Sequence, residues 1–153
     1  MKIAVLSDTH GFLPAKCIEV IAGSDAVVHA GDFDTADVYR EIEAVCGTDI
    51  PFYAARGNCD WDSDLSFLQK VQLFEFENVK FAVSHKEVDL MRLLGKFDVG
   101  IFGHSHIYEC RREAGILFLN PGSASRPRDG NKGSMVLLTL ENNNISAERI
   151  FCR

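Results

Sequence analysis

The sequence predicts a mixed α/β domain with two β-sheets, on three observations. In the first half, short apolar runs alternate with helix-like segments in the order β-α-β-α-β, which favours parallel strands with helices on their faces. In the second half, strand-like runs follow one another closely with turn residues between them, so that sheet is expected to be largely antiparallel. Apolar residues make up 46% of the chain and charged residues 25%, the balance of a globular protein. The 153 residues are read as one domain, 1–153, long enough to bury roughly two thirds of the unfolded surface.

Ile3–Leu6 is a short apolar strand. Pro14 to Ala22 reads as a helix, because proline suits a first helical position and Gly23 stands just past the end. Ala26–Ala30 is the second apolar strand. Thr35–Cys46 is an amphipathic helix stopped by Gly47, and Phe52–Ala55 is the third strand. In "KVQLFEFENVKFAVSH" two strands flank a turn at Asn78. Glu87–Leu94 reads as a short helix and Val99–Phe102 as another strand. Tyr108–Arg112, Ile116–Leu119, Met135–Leu140 and Ile145–Phe151 are consecutive β segments with "EAG" and "ENNN" as turns. Ser123–Lys132 is the most loop-like stretch.

Charge and composition exclude several function classes. The net charge of −6 argues against broad binding to nucleic acid or anionic lipid. No apolar run approaches the ~20 residues of a membrane span. The opening run stops at Ser7-Asp8, too short for a signal peptide, so the expected location is cytoplasmic. The five cysteines are odd in number and contain no C-x-x-C, so neither a disulfide framework nor a Cys-rich zinc site is indicated. They read as reduced, scattered thiols. Any metal site is expected to use nitrogen and oxygen ligands.

Five separate strands end in metal-competent side chains. "SDTH" after the first gives Asp8 and His10. "GD" after the second gives Asp32, and "RGNCD" after the third gives Asn58. His85 follows Phe81–Val83, and "GHSH" after Val99–Phe102 gives His104 and His106. Ligands of α/β sheets gather at the carboxyl ends of parallel strands, so these side chains are expected on one rim. Gly11, Gly31, Gly57 and Gly103 adjoin them, where the backbone must turn or approach closely. Each piece alone has a plainer explanation: a helix cap for Asp-x-His, a turn for "AGD" or "GN", a core or loop position for His85. The conjunction does not, because four of the five histidines stand in these motifs.

Imidazole and carboxylate without thiolate suit manganese, iron, cobalt, nickel or zinc, not a closed structural zinc site. Seven ligands exceed what one metal with an open position accepts. They suit two metals that share a bridging carboxylate, whose two oxygens serve better than the single neutral carbonyl of Asn58. Two divalent ions outweigh two carboxylates, so such a site attracts an anion despite the acidic chain.

These residues resemble the calcineurin-like metallophosphoesterase signature: D-x-H, then GD, GN-[HC]-[DE], a His after a strand, and GH-x-H. The resemblance covers essentially the whole chain. "GNCD" and "NPGSASRPR" are similar to the branch of small bacterial and archaeal phosphodiesterases. It implies the metallophosphoesterase fold, a four-layer α/β/β/α sandwich with two mixed β-sheets. It implies that Asp8, His10 and His106 hold one metal, that Asn58, His85 and His104 hold the other, and that Asp32 bridges. Asp32, Asn58 and His104 are the positions given catalytic roles. The expected cofactors are two divalent ions, Mn2+ first, with Ni2+, Fe2+, Zn2+ and Co2+ as alternatives. The implied reaction is hydrolysis of a small phosphoester, above all a diester, by a metal-bound hydroxide between ions roughly 3.5–4 Å apart.

Two positions depart from the larger members of the family. Cys59 stands where they carry a histidine that protonates the leaving oxygen or steadies the phosphate; the small branch shares this departure. A missing general acid forfeits about 10²–10⁴-fold in rate, so diesters with acidic leaving groups are favoured. Glu87 stands where another histidine is frequent, and reads as an acid in the first turn of a helix. Asp60 is either a residue that orients a ligand or an exposed turn carboxylate. His29 reads as a core residue or one behind the ligands. By resemblance, Asn120 and "PGS" shape the site floor. Arg126 and Arg128 read as solvated loop residues ahead of substrate contacts, and Trp61 as lining the mouth or packing. The alternative function is a non-catalytic protein-interaction scaffold of the same fold, like the retromer subunit with its altered metal site; here all seven ligand positions are filled. The short chain and acidic charge weigh against a nuclease. The expected partner is a small phosphoester, with no membrane and no nucleic acid, and a homo-oligomer is compatible with the sequence.

Overall fold

Alternation along β1 (Lys2–Leu6) sets the architecture. Ile3 and Val5 face one side and Ala4 and Leu6 the other, and all four are fully buried. A strand buried on both faces needs a layer on each side. The computed structural model, which describes residues 1–152, supplies them. On one side α1 (Ala15–Ala22) and α2 (Ala36–Cys46) bury Cys17, Ile21, Val38 and Ile42 against Ala4, Leu6 and Met135. On the other, Ile3, Val5 and Val28 meet Phe81, Val83, Ile101 and Leu119 of the second sheet. The outer face of that sheet packs Ala82 and Phe118 against Leu90 of α3 (Glu87–Met91), with Phe97 and Phe102. The layers are α/β/β/α, as the resemblance implies.

The first sheet adds β2 (Ala26–His29) and β3 (Phe52–Ala54) parallel to β1, and β9 (Ser134–Glu141) and β10 (Asn144–Phe151) return antiparallel, in the order β10-β9-β1-β2-β3. The second sheet contains β4 (Val71–Phe76), β5 (Val79–Ser84), β6 (Val99–Ile101), β7 (Tyr108–Glu113) and β8 (Ile116–Pro121), in the order β4-β5-β6-β8-β7. Here the expectation of a largely antiparallel sheet fails. The β5–β6 and β6–β8 pairings are parallel; only the hairpin pairs β4–β5 and β7–β8 are antiparallel. The segment through α3 is a crossover that returns the chain in the same direction, and β8 docks against β6 while β7 takes the edge. The four strand runs of the second half also divide between the sheets, because the loop after β8 carries β9 across to β1.

Two smaller corrections concern α3 and the thiols. The expected helix to Leu94 ends at Met91, and the chain continues in i→i+3 turns closed by Leu93 N–H to Leu90 O and Lys96 N–H to Leu93 O. The thiols are not all scattered. The Sγ atoms of Cys17 and Cys152 lie 3.2 Å apart in a buried contact, which with burial pushes the Cys17 thiol up. Among the described residues, no helix is long and apolar enough to cross a membrane.

Candidate metal centre

Side chains at the carboxyl ends of β1, β2, β5 and β6 meet at one rim. Their backbones share an unusual conformation. Asp8 and His10 (φ 53° and 44°), Asp32 and Asp34 (61° and 68°), and His104 and His106 (70° and 60°) are all left-handed. For a residue with a Cβ this costs about 1–2 kcal/mol each, and such strain collects at functional sites. Three loops thus have one design, with two left-handed residues two apart. Hydrogen bonds lock the first two loops together: Asp8 N–H to Gly31 O (2.9 Å), His10 N–H to Asp32 O (3.1 Å) and Gly11 N–H to Phe33 O (2.8 Å). Glycine is needed at two close approaches. A Cβ on Gly57 would stand 2.1 Å from Asp32 Oδ1, and one on Gly103 would stand 2.0 Å from Ser7 Oγ.

The ligand atoms converge in two groups. Asp8 Oδ1 lies 3.2 Å from His106 Nε2 and 3.8 Å from His10 Nε2, and the two Nε2 atoms are 3.1 Å apart. Asp32 Oδ2 lies 3.2 Å from His85 Nε2 and 3.9 Å from His10 Nε2, between the two sides. His104 Nδ1 lies 3.3 Å from His85 Nε2. Asp8–His10–His106 and Asp8–Asp32–His85 are each compact enough to hold one ion. Six of the seven expected ligands are therefore joined by contacts of this kind. Asn58 is not: it is exposed, and its amide donates to Cys59 Sγ at 3.3 Å. It shares with His85 only the lining of a neighbouring cavity.

Hydrogen bonds on the far nitrogens aim the rings. His85 Nδ1 donates to Ala30 O (2.8 Å) and His106 Nδ1 to Arg126 O (2.6 Å). A carbonyl only accepts, so each neutral ring carries its proton on Nδ1 and turns an Nε2 lone pair into the site. His10 Nδ1 lies 2.9 Å from Asp34 Oδ1, the carboxylate–histidine arrangement that orients metal ligands. Asp34 was missed in the sequence. Its signal was the spacing of "DFD", which repeats the two-residue step of "DTH" and "HSH".

Two buried carboxylates make the site electrostatically incomplete. Asp8 is 0% and Asp32 2% exposed. Among the described residues neither pairs with a lysine or arginine; their only cationic partners are histidines. Asp8 Oδ1 is buried with no hydrogen-bond partner. Burial works to raise both carboxyls, yet the histidines hold both below the usual carboxylate range: chiefly His106 and His85 for Asp8, and His85 with the Cys59 N–H for Asp32. In return the Asp8 carboxylate beside it draws His106 up, and Asp32 draws His85 up against its burial. Buried negative charge of this kind calls for positive charge, and divalent ions on nitrogen and oxygen donors fit it.

The surrounding residues fix the loops. Asp60 is 2% exposed, so the exposed-turn alternative fails. Its carboxylate accepts from four backbone N–H groups: Asp32 (3.0 Å), Phe33 (2.7 Å), Asp34 (3.1 Å) and Gly57 (2.6 Å). Asn120 donates to Gly103 O and Ser105 Oγ, both at 3.0 Å, clamping the loop that carries His104 and His106. Ser123 Oγ donates to Asp8 O (2.6 Å). Cys59 N–H donates to Asp32 Oδ1 (2.8 Å), and its thiol, pushed up to about 11 by burial and Asp32, stays protonated. Arg126 and Arg128 are exposed, and Arg126 serves through its carbonyl. Trp61 is 84% exposed and does not pack. Glu87 is the first residue of α3 and pairs with Arg111.

His29 belongs to the core. It is fully buried and stacks on Phe33; Gly31 N–H donates to its Nδ1 (3.0 Å), so Nε2–H donates to Thr9 Oγ1 (3.1 Å). Burial brings its pKa down to about 3. Unfolded, it binds a proton near the ordinary value of about 6.5. Between those values the unfolded state binds more protons, so stability falls as pH drops through that window. The raised His85 and His106 act oppositely, adding stability below about 6.5 that is lost as pH rises. The difference between proteins isolates His29: metal-free wild type should lose about 2 kcal/mol more than His29→Asn between pH 7 and pH 5. Urea titrations at both pH values read this, and equal losses would rule out a buried neutral imidazole.

Sequence and fold relate the chain to known proteins. The calcineurin-like phosphoesterase superfamily domain matches residues 1–143. The phosphodiesterase YfcE of Escherichia coli K12 is 30% identical, over 90% of this chain and 87% of its own. A solved archaeal phosphodiesterase superposes with a TM-score of 0.79 at 25% identity, covering 98% of this chain and 100% of its own. Vps29 of Entamoeba histolytica, solved with Zn2+, superposes with a TM-score of 0.76 at 20% identity over the full length of both chains. That last likeness is one of fold alone.

Proposed function

The chain belongs to the calcineurin-like phosphoesterase superfamily, and on that premise we propose that it is a dinuclear metal-dependent phosphodiesterase acting on small phosphoesters. The observation that carries this reading is the pair of buried carboxylates, Asp8 and Asp32, whose only cationic partners among the described residues are histidines. Asp8, His10 and His106 would hold one ion. His85 and His104 would hold the other, with Asn58 joining after a turn of its exposed side chain, and Asp32 would bridge. When bound, two divalent ions polarise phosphoryl oxygens and lower the pKa of water from 15.7 to about 7, which makes a nucleophile available near neutral pH. The chain's own part is positional. Carbonyls of Ala30 and Arg126 and the carboxylate of Asp34 fix three imidazoles, and Asp60 and Asn120 fix the loops beneath them.

The test is chelation and reconstitution against aryl phosphodiesters and monoesters. Chelated protein should be inactive, and Mn2+ or a similar ion should restore diester hydrolysis above monoester hydrolysis. The metal-free protein should remain folded, because the apolar clusters between the layers do not depend on the ligands. Metal should then raise the melting temperature by mass action. A chelated protein with no cooperative thermal transition would instead make the metal structural.

The thiol at position 59 sets a further expectation. A thiol is a poorer acid for a leaving oxygen than the imidazole it replaces, so esters with acidic leaving groups are the better substrates. Cys59→His should raise hydrolysis of an alkyl monoester relative to an aryl diester by about 10-fold or more, part of the 10²–10⁴ that a general acid contributes. The reading is the ratio of kcat/KM values at matched metal occupancy, with the folded fraction measured alongside. A flat ratio in the folded variant would remove position 59 from substrate preference.

A further inference from the structure

A cavity of about 370 Å³ opens beside the candidate metal centre, with His85 common to both and Asn58 in its lining. Arg56, Lys70, Lys86 and Asp89 also line this cavity. Asp89 is buried and pairs with Lys70 Nζ at 3.0 Å. Among the described residues the other two cations have no carboxylate partner. The Arg56 guanidinium donates to the carbonyl of Asp60, at 3.4 Å. Lys86 makes no ion pair among the described residues. Two positive charges therefore stand uncompensated in one cavity of a chain whose net charge is −6. The backbone holds them there: Arg56 N–H bonds Gln69 O at 2.8 Å, and Lys86 lies between His85 and α3.

We propose that this cavity binds a second phosphate of the substrate, so that the preferred substrate is a phosphodiester with a separate phosphate group. The proposal rests on the phosphodiesterase reading above. A phosphate offers several oxygens to a forked guanidinium and a lysine point charge at once. A neutral group would strip water from Arg56 and Lys86 and return no ionic partner. A concave site of one sign also gathers oppositely charged ligands.

Three substrates that release the same 4-nitrophenolate test this. They are bis(4-nitrophenyl) phosphate, the 4-nitrophenyl ester of thymidine 5′-phosphate, and the same ester carrying a 3′-phosphate. The 3′-phosphate should raise kcat/KM roughly 10-fold, about 1.4 kcal/mol, mainly through KM. Arg56→Ala/Lys86→Ala should erase that advantage and leave hydrolysis of bis(4-nitrophenyl) phosphate nearly unchanged. Lys2→Ala/Lys96→Ala removes equal charge at the start of β1 and in the turn that precedes β6 and should keep the advantage. No advantage in the wild type, its survival in the cavity variant, or its loss in the control would each overturn the proposal. Thermal transitions verify that the variants fold. If no diester is hydrolysed with any ion, the phosphodiesterase reading fails separately. Calorimetric binding then decides the cavity: thymidine 3′,5′-bisphosphate should bind Mn2+-loaded protein roughly 10-fold tighter than thymidine 5′-phosphate, and equal affinities would refute it.

Discussion

Replacing Asp32 by asparagine should cut phosphodiester hydrolysis by about 10²–10³-fold or more and lower metal content together with it. Asp32 Oδ2 faces His85 on one side and His10 on the other, and Oδ1 accepts the Cys59 N–H. Asparagine keeps the shape but removes the charge and one acceptor oxygen. One of its two positions must then present an N–H₂ group, either to a backbone donor or to the ligand nitrogens. Because the residue stands between the two groups of ligands, both ions should weaken. Removal of the His104 imidazole should affect one ion, since that ring meets His85, while the residue's contact with Asp8 is made by its backbone N–H and stays. Metal analysis and kcat/KM at saturating Mn2+ read this together. Two tightly held ions with full activity in Asp32→Asn would falsify the bridging role.

The largest stability effect is expected at Asp60, whose side chain touches no expected ligand atom. Its two oxygens accept four backbone N–H groups from the two loops that carry Asp32, Asp34 and Asn58. A buried donor left without a partner costs about 1–3 kcal/mol. Asp60→Ala strands several at once, beneath backbone that is already left-handed at Asp32 and Asp34. A loss of about 4 kcal/mol or more is expected, read as a lower urea midpoint at unchanged m. Asp60→Asn keeps one acceptor oxygen and should lose about half as much. Activity should fall in both, through misplaced Asp32. A midpoint within about 0.5 kcal/mol of wild type in Asp60→Ala would show that the loops hold themselves.

Much of the site was legible because its motifs follow strand ends. Asp8, His10, Asp32, His85, His104 and His106 each follow an apolar run, and a parallel strand delivers whatever follows it to the same rim. Asp34 was not singled out as a partner of His10: the two-residue step of "DFD" marks its position in the loop, but only the fold brings its carboxylate to the His10 ring. Asp60 stood open between two roles, since burial depends on what the fold lays over it. Asn58 matches its motif, but its exposed side chain is bonded to Cys59 Sγ and makes no contact with the other ligands among the described residues, a rotamer choice with no trace in sequence.

The sequence by itself determined the two-sheet α/β class, nearly every element, and the nitrogen and oxygen chemistry of the site, since periodicity, turn residues and side-chain type are local properties of the chain. Only the tertiary structure decided that the second sheet is half parallel, that β8 and β9 part to different sheets, and that Asp34 and Asp60 stand behind the ligands. It also decided that Arg56 and Lys86 share a cavity with His85. These are contacts between residues far apart in the chain. They arise from how the layers close on one another, and local pattern contains no term for that.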